Sequence, residues 1–165
     1  MFREMRRKQQ ALDYAECLRI LNARENGVMA LSGDDGYPYA VPLNHVLADG
    51  KLYFHCAAEG HKIDAIHRCD KASYCVIDED DVDACALTTR FRSAIVFGRV
   101  RVVEDAELKR RALMAIGERF APANMQKAMV QIDDSLHHTG IIEMEIEHIT
   151  GKESRGLARE RRERA

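Results

Sequence analysis

The sequence predicts a mainly β (α+β) domain, built as an antiparallel β-barrel with helices at its periphery. Short apolar segments follow one another along most of the chain and are separated by turn residues, whereas a parallel α/β fold alternates strands with helices. Asp49-Gly50, between two of these segments, is typical of the two-residue turn that joins antiparallel strands. These observations favour a barrel over a doubly wound parallel sheet.

The first predicted element is an amphipathic helix over about 13–24. Asp13 and Glu16 have the spacing of a capping box, and apolar residues then recur at helical intervals. The strand candidate 37–47 contains Pro38 and Pro42. Because proline has no N–H to donate to a sheet ladder, we predict that this strand lies at an edge or carries a bulge.

The later elements follow from the same periodicities. An acidic stretch, Asp78–Asp83, lacks the pattern of a calcium-binding loop and is predicted to be a solvated loop. The remaining predicted elements are the strands 28–31, 51–55, 72–77, 94–103 and 141–149 and the helices 61–68, 105–120 and 124–136.

Composition indicates one ordinary globular domain. The chain has 165 residues and a mass of 18.7 kDa, with 46% hydrophobic and 32% charged residues. These values, with 10 Gly and 3 Pro, exclude a collagen-like or wholly disordered chain. Trp is absent and aromatic residues make up only 6%, so we do not expect a core built on large rings.

Charge is distributed unevenly along the chain. The formal net charge is −2, but the segment 151–165 contains six basic and three acidic residues, which leaves −5 on the remainder. Because binding to a phosphate backbone requires a basic surface, we expect no nucleic-acid partner. The mixed Arg/Glu run at the end is typical of a solvated helix or a frayed terminus.

Cysteine usage and hydropathy point to the cytoplasm. The five cysteines are scattered and include no Cys-x-x-Cys pair, and the start of the chain is charged with no apolar run behind it. No segment approaches the roughly 20 apolar residues needed to span a bilayer. We therefore expect a cytoplasmic protein with free thiols and no membrane association.

Two segments are candidates for ligand binding. Gly60 and Lys62 stand where a strand gives way to a helix, and a helix N-terminus with an adjacent lysine suits a phosphate group. In the segment 41–44, Pro42 removes a ladder donor, so neighbouring backbone groups are free to face a planar ligand. Taken alone, an ordinary strand-to-helix connection and a bulged edge strand are the simpler explanations of these two segments.

A family resemblance rests on three longer segments, DDGYPYAVPLNHVLADGKLYFHCAAEGHKIDAI, RFRSAIVFGRVRVVEDAELKRRAL and IEMEIEHITGKES. In this order they resemble the pyridoxamine 5'-phosphate oxidase-like FMN-binding split-barrel superfamily, and within it most of all the nitroimidazole-resistance (Nim) subgroup. The resemblance implies a six-stranded split barrel that forms a homodimer with two FMN sites at the subunit interface. It divides the chain into an FMN-binding split-barrel domain, 1–150, and a basic C-terminal tail, 151–165.

The resemblance also implies which residues bind FMN. It places the strand 41–44 along the isoalloxazine ring, largely through its backbone, and His55 and Cys56 beside the ribityl chain and phosphate. Gly60 and Lys62 match the phosphate-binding turn, with Lys62 paired to the phosphate. A strand that reaches the flavin from the other subunit completes the set. The implied cofactor-binding residues are Val41, Pro42, Leu43, Asn44, His55, Cys56, Gly60, Lys62, Arg92 and Ser93.

The implied function is that of an FMN-dependent reductase or oxidase of a small molecule, including nitroaromatic reduction, with NAD(P)H as a candidate electron donor. Oxidation of pyridoxamine phosphate is not expected, because the chain ends in GLARERRERA instead of an Arg-Leu-x-Pro segment and has His61 where those oxidases have arginine. Leu87 stands where Nim-like relatives often have tryptophan. The alternatives are a non-catalytic flavin-binding or storage protein, and a heme- or coenzyme F420-binding relative on the same barrel.

A metal site is the rival interpretation of the central segment. Six imidazole or thiol side chains stand within residues 55–75, but no pair has the spacing of a zinc motif, and strand alternation sends His55 and Cys56 to opposite faces. We therefore expect no metal. No catalytic residue is assigned, although His45 and His55 lie nearer the implied flavin than His137 does.

Overall fold

The computed structural model describes residues 2–164, with side chains up to residue 163. Six long strands and two short ones form one antiparallel sheet, and five helices pack around it, which confirms the predicted fold class. The strands are β1 (Ala11–Leu12), β2 (Asn26–Ser32), β3 (Pro38–Asn44), β4 (Val46–Ala48), β5 (Lys51–Ala57), β6 (Lys71–Asp83), β7 (Thr88–Val102) and β8 (Thr139–Glu153). The helices are α1 (Tyr14–Ala23), α2 (His61–Arg68), α3 (Ala106–Phe120), α4 (Met125–Ser135) and α5 (Arg155–Arg164).

The order of strands shows how the sheet curls. The order is β3-β2-β6-β7-β8-β5-β4, with β1 paired to the end of β8. The two outermost strands, β3 and β4, are consecutive in the chain and are separated only by His45. Because a single residue joins the two ends of the sheet, the sheet must bend round into half of a barrel.

His45 splits the predicted strand 37–47 into β3 and β4. Its backbone N–H donates to the carbonyl of Glu25 at 3.0 Å, and its fully buried imidazole has two partners. Nε2 lies 2.8 Å from the carbonyl oxygen of Leu21, and Nδ1 lies 2.9 Å from the hydroxyl oxygen of Tyr74. Burial lowers the pKa of His45 to about 4, so the imidazole is neutral at pH 7 and acts as a structural group at the corner.

Tyr74 reaches this corner by crossing a neighbouring strand. It stands on β6, and its hydroxyl oxygen lies 2.7 Å from the carbonyl oxygen of Leu43 on β3, with β2 between the two strands. Because His45 is neutral, the single hydroxyl proton is shared between this carbonyl and Nδ1 of His45. A Cβ added to Gly27 on β2 would lie 2.8 Å from the Tyr74 ring and would also collide with the carbonyl of Cys75. Glycine at position 27 therefore provides the space through which Tyr74 ties β3 to the rest of the sheet.

We expect Tyr74→Phe to lower the free energy of unfolding by about 1–3 kcal/mol, because it removes one buried hydrogen bond and leaves the Nδ1 atom of His45 without a partner. Urea unfolding measures this change. The control is Tyr37→Phe, since Tyr37 is 76% exposed and its loss of a hydroxyl should change stability by less than about 0.5 kcal/mol. Equal stabilities of the two variants would contradict a structural role for the Tyr74 hydroxyl.

The prediction of a solvated acidic loop at Asp78–Asp83 is wrong, because β6 continues to Asp83 and pairs with the first half of β7. A bulge lies between Ile77 and Glu79 in this pairing. Asp78 is buried there and accepts hydrogen bonds from Arg19, Arg24 and Arg92 at 2.8–3.3 Å. These guanidinium groups keep the pKa of Asp78 below its usual value although burial opposes them, so the acid is held as a buried anion.

Apolar side chains form two clusters, one on each side of β5. Leu52 and Phe54 point into the main core inside the curled sheet, which α1 and α2 close. Tyr53, between them, points to the opposite face and packs under α3 and α4. Burial on both faces explains why the apolar pattern of β5 is continuous instead of alternating.

The basic C-terminal segment is integrated into the fold. The last strand was predicted to end near residue 149, but β8 runs to Glu153, and α5 follows with Leu157 and Ala158 buried. The fully buried carboxylate of Glu153 accepts from Arg161 at 2.7 Å and from Arg92 at 3.4 Å. In the described part of the chain, no helix has the length and apolar character required to cross a membrane.

We expect Arg161→Ala to destabilise the protein by about 1–3 kcal/mol, because Glu153 then loses its shortest ion pair while remaining buried. Thermal or urea unfolding tests this expectation. Arg162→Ala is the matched control, since the Arg162 side chain is exposed and has no carboxylate within 4 Å among the side chains of residues 2–163. A loss of similar size in both variants would show that α5 responds to charge in general and not to this pair.

Candidate functional site

The outer side of β3 presents backbone groups that no other strand uses. Ladder hydrogen bonds flank β3 at both ends, from His45 N–H to Glu25 at 3.0 Å and from Gly33 N–H to Tyr37 at 2.9 Å. Since such bonds fall on every second residue of an antiparallel pair, the odd-numbered residues of β3 bind β2. The backbone groups of the even-numbered residues 38–44 therefore point away from the sheet.

This register explains the two prolines. Pro38 and Pro42 occupy outward-facing positions, so neither removes a ladder bond, and the prediction of an edge strand is confirmed. Val41 and Leu43 are half-buried and pack against the main core, whereas Pro42 and Asn44 are exposed. The surface at this edge thus consists of backbone, Pro42 and Asn44.

The start of α2 lies close to this edge and is open to a ligand. Gly60 precedes the helix with φ +111°, a conformation that side chains rarely permit. The N–H groups of Ile63 and Asp64 donate to the Gly60 carbonyl, but no side chain from the described residues caps the helix. The N–H groups of His61 and Lys62 are left to bind an anion.

Lys62 places a positive charge beside the end of β5. Among the side chains of residues 2–163, no carboxylate lies within 4 Å of its ammonium group. Burial raises the pKa of the Cys56 thiol, and the positive charge of Lys62 acts in the opposite direction. His55 is exposed and Cys56 is buried, as the alternation of β5 predicted.

Contacts that the sequence did not predict join the start of α2 to β3. The rings of His61 and Tyr39 are stacked with centroids 4.1 Å apart. Asp34 lies 3.3 Å from Nε2 of His61 and 2.6 Å from the guanidinium of Arg68. Strand alternation puts Tyr39 on the same side as Val41, but no sequence rule connects it with a helix that begins more than twenty residues later.

The two predicted residues on β7 do not join this group. β7 lies three strands from β3 and two from β5 in the sheet. The guanidinium of Arg92 is held by three carboxylates of its own chain, those of Asp78, Glu79 and Glu153, at 3.3–3.8 Å. Within one chain, Gly60 and Lys62 follow closely after His55 and Cys56 at the end of β5, and the stacking of Tyr39 on His61 connects this segment to β3. Arg92 and Ser93 lie on a more distant strand.

The histidines and cysteines considered as metal ligands all lie within the described residues. Across residues 2–164, no three His, Cys, Asp or Glu side chains form a group that could hold a metal ion. All five cysteines are free thiols, and Cys17 and Cys56 are buried. Burial together with Asp13 and Glu16 raises the pKa of Cys17 to about 11, so this thiol stays protonated.

The antiparallel sheet curls so that its two ends meet at one residue, and an uncapped helix start lies beside its free edge. These features place the protein in the class of split β-barrels. The family model described as pyridoxamine 5'-phosphate oxidase matches residues 13–153. The chain therefore belongs to the pyridoxamine 5'-phosphate oxidase family, and the predicted family resemblance is confirmed. No curated protein sequence matches the chain significantly.

Solved structures show the same fold at low sequence identity. The conserved hypothetical protein Rv2991 from Mycobacterium tuberculosis is 19% identical, with a TM-score of 0.79 over 93% of this chain and 92% of that one. A FAD- and heme-binding protein from Mycobacterium smegmatis is 23% identical, with a TM-score of 0.76 over 90% and 74%. A candidate 5-nitroimidazole antibiotic resistance protein from Bacteroides thetaiotaomicron is 22% identical, with a TM-score of 0.69 over 86% and 85%.

Proposed function

We propose that this protein binds FMN and uses it as a flavin-dependent reductase or oxidase of a small molecule. The observation that carries the proposal is the position of the open helix start beside the free edge of β3, with Tyr39 stacked on His61 between them at 4.1 Å. The helix start suits the phosphate end of a riboflavin phosphate, and the free edge of β3 suits its planar ring. The family membership supports the same cofactor class.

Each part of the chain has a distinct task in this proposal. The N–H groups of His61 and Lys62 and the Lys62 ammonium hold the phosphate, while Gly60 leaves room for its close approach. The outward backbone groups of residues 40–44 orient the ring, and His55 and Cys56 lie beside the linking chain. When bound, FMN supplies the electron transfer, and the protein supplies orientation and a fixed electrostatic environment.

A homodimer completes the proposed site. Ser93 and Arg92, which the single chain leaves apart from the other residues, would then approach the flavin of the second protomer from the start of β7. NAD(P)H is the proposed electron donor and a nitroaromatic compound is a proposed acceptor. Oxidation of pyridoxamine phosphate is not proposed, because His61 stands before Lys62 where those oxidases have arginine.

The absorbance spectrum of freshly purified protein tests the proposal, followed by chromatography of the flavin released on denaturation. We expect a yellow protein that releases FMN, is bleached by NAD(P)H and is reoxidised by a nitroimidazole. Bound flavin with no turnover for any donor would favour the non-catalytic flavin-binding alternative. A colourless protein with no affinity for added flavin would contradict both.

A second cofactor assignment is FAD, alone or with heme, because the structurally similar protein from Mycobacterium smegmatis is described as binding both. The same experiment separates the assignments. FAD instead of FMN in the released fraction would favour this alternative, and a heme absorption band in the intact protein would add heme to it. An absorption spectrum typical of a deazaflavin would instead indicate coenzyme F420.

A further inference from the structure

A second positively charged feature is formed by the two ends of the chain. We call it the terminal groove: it lies between residues 6–10 and α5 and has a volume of about 710 Å³. Among the residues that the structure describes, six basic side chains line it and no carboxylate does. They are Arg6, Arg7, Lys8, Arg155, Arg159 and Arg162. None of the residues proposed to bind flavin lines this groove.

Two of the six cations of the terminal groove pair with exposed glutamates, Lys8 with Glu4 at 2.8 Å and Arg159 with Glu163 at 3.8 Å. The other four have no carboxylate partner among the described side chains, unlike other arginines of the protein. Arg90 and Arg110, for example, each form a bidentate contact with a carboxylate. By contrast, no described carboxylate lies within 4 Å of the guanidinium of Arg6, Arg155 or Arg162 among the side chains of residues 2–163. Like charges that outnumber their counter-charges repel one another, and a bound anion relieves that repulsion.

The walls of the terminal groove are anchored to the sheet, so its cations are brought together by the fold. On one wall, the Gln10 side chain donates to the backbone carbonyl of Glu153 at 2.8 Å. On the other, Arg161 of α5 donates to the carbonyl of Ala11 at 3.2 Å and to the Glu153 carboxylate at 2.7 Å. A ligand held by both walls therefore binds a site that is already assembled, which lowers the entropic cost of binding.

The chemistry of the lining restricts the kind of anion. Guanidinium groups bind phosphate oxygens through paired hydrogen bonds. The volume falls in the range of small-molecule sites, roughly 300–1,000 Å³. No aromatic side chain of residues 2–163 lines the groove, so none of them stacks on a base there. A long nucleic acid would also meet the remaining body of the protein, residues 1–150, with its net charge of −5.

We propose that the terminal groove binds the linked phosphates of a small polyphosphate, either inorganic polyphosphate or the triphosphate of a nucleotide. The site is separate from the proposed flavin site and does not depend on it. Recognition comes from several guanidinium groups that meet adjacent phosphates at once. A single orthophosphate can engage only part of this array and should bind more weakly.

Isothermal titration calorimetry of the whole protein with inorganic tripolyphosphate tests the proposal, in magnesium-free buffer and at two salt concentrations. The groove variant combines Arg6→Gln, Arg155→Gln and Arg162→Gln. Because each substitution removes a charge-assisted hydrogen bond to phosphate, we expect its Kd to rise at least about tenfold. We expect wild-type binding to weaken as salt increases, since exposed charges are screened.

A matched control removes three positive charges elsewhere. Lys71→Gln, Arg111→Gln and Lys127→Gln change exposed side chains that lie outside the terminal groove, and this combination should leave the Kd nearly unchanged. The wild type and both triple variants are also compared in a Lys62→Ala background, which removes the charge at the proposed flavin-phosphate site. The tenfold difference between groove and control variants should persist there.

Titrations with ATP identify the source of the phosphates. Tripolyphosphate that binds at least as tightly as ATP supports the inorganic ligand, and ATP that binds tenfold more tightly supports the nucleotide. The proposal is overturned if tripolyphosphate does not bind saturably, if both triple variants weaken it equally, or if orthophosphate binds as well. Binding of a DNA duplex without binding of tripolyphosphate would also overturn it.

Discussion

Lys62→Ala should weaken FMN binding by about 10- to 100-fold, which corresponds to the loss of a charge-assisted hydrogen bond worth about 1.5–3 kcal/mol. Its ammonium has no competing carboxylate within 4 Å among the described side chains, so its charge is available to a phosphate. Quenching of flavin fluorescence during titration of the apoprotein measures the Kd directly.

Two further variants test whether FMN affinity depends on a cation at position 62. Lys62→Arg should recover much of the affinity, because a guanidinium also binds phosphate. His137→Ala should bind FMN as the wild type does, since His137 is exposed and lies in none of the elements that form the candidate site. Equal affinities of Lys62→Ala and His137→Ala would count against phosphate binding by Lys62, even if the protein binds flavin in another way.

The free energy of unfolding should fall by about 3 kcal/mol as the pH is lowered from 6.5 to 4, because of His45 alone. Burial lowers the pKa of the folded state to about 4, from an ordinary value of 6.5 in the unfolded chain, and the positive charge of Arg119 acts in the same direction. Between these two values the unfolded state binds the extra proton, so acid favours unfolding. The contribution is fully present above pH 6.5 and is lost as the pH falls to 4.

Urea unfolding at a series of pH values checks this expectation, with His45→Gln as the informative variant. That variant loses stability at pH 7, because glutamine does not reproduce both hydrogen bonds of the imidazole, but its stability should depend much less on pH between 6.5 and 4. His137→Gln should retain the full dependence. Parallel curves for the wild type and His45→Gln would disprove the assignment. Asp78 and Glu143, whose pKa values are lowered by arginine partners, add acid sensitivity at lower pH.

Local sequence rules predicted the elements that have local causes. Asp13 accepts a hydrogen bond from the N–H of Glu16 at 2.8 Å, as the capping-box spacing indicated, and α2 has the predicted bounds. Pro38 and Pro42 correctly indicated an edge strand, because a missing N–H restricts where a strand can lie in any sheet. In each case the information lies within a few neighbouring residues.

The predictions failed where a distant residue changed the environment. The acidic stretch 78–83 was predicted to be a solvated loop. In the folded protein Arg19, Arg24 and Arg92 neutralise Asp78, and the strand continues. The Arg/Glu run near the C-terminus forms the helix that was one of its two predicted states, but the charge pattern did not reveal that Arg161 pairs with buried Glu153 and helps to fix α5 in place. A charge pattern alone does not reveal which charges will be buried together.

The sequence by itself determined the fold class and the family, because periodicity, turn chemistry and motif order are properties of the chain. The flavin-binding residues that it implied stay a prediction. Only the tertiary structure decided that the two sheet edges meet at His45, that Tyr39 stacks on His61 beside Lys62, and that both ends of the chain line one basic groove. These arrangements join residues that are far apart in the sequence. Their free energy depends on burial and partners, which exist only after the chain has folded.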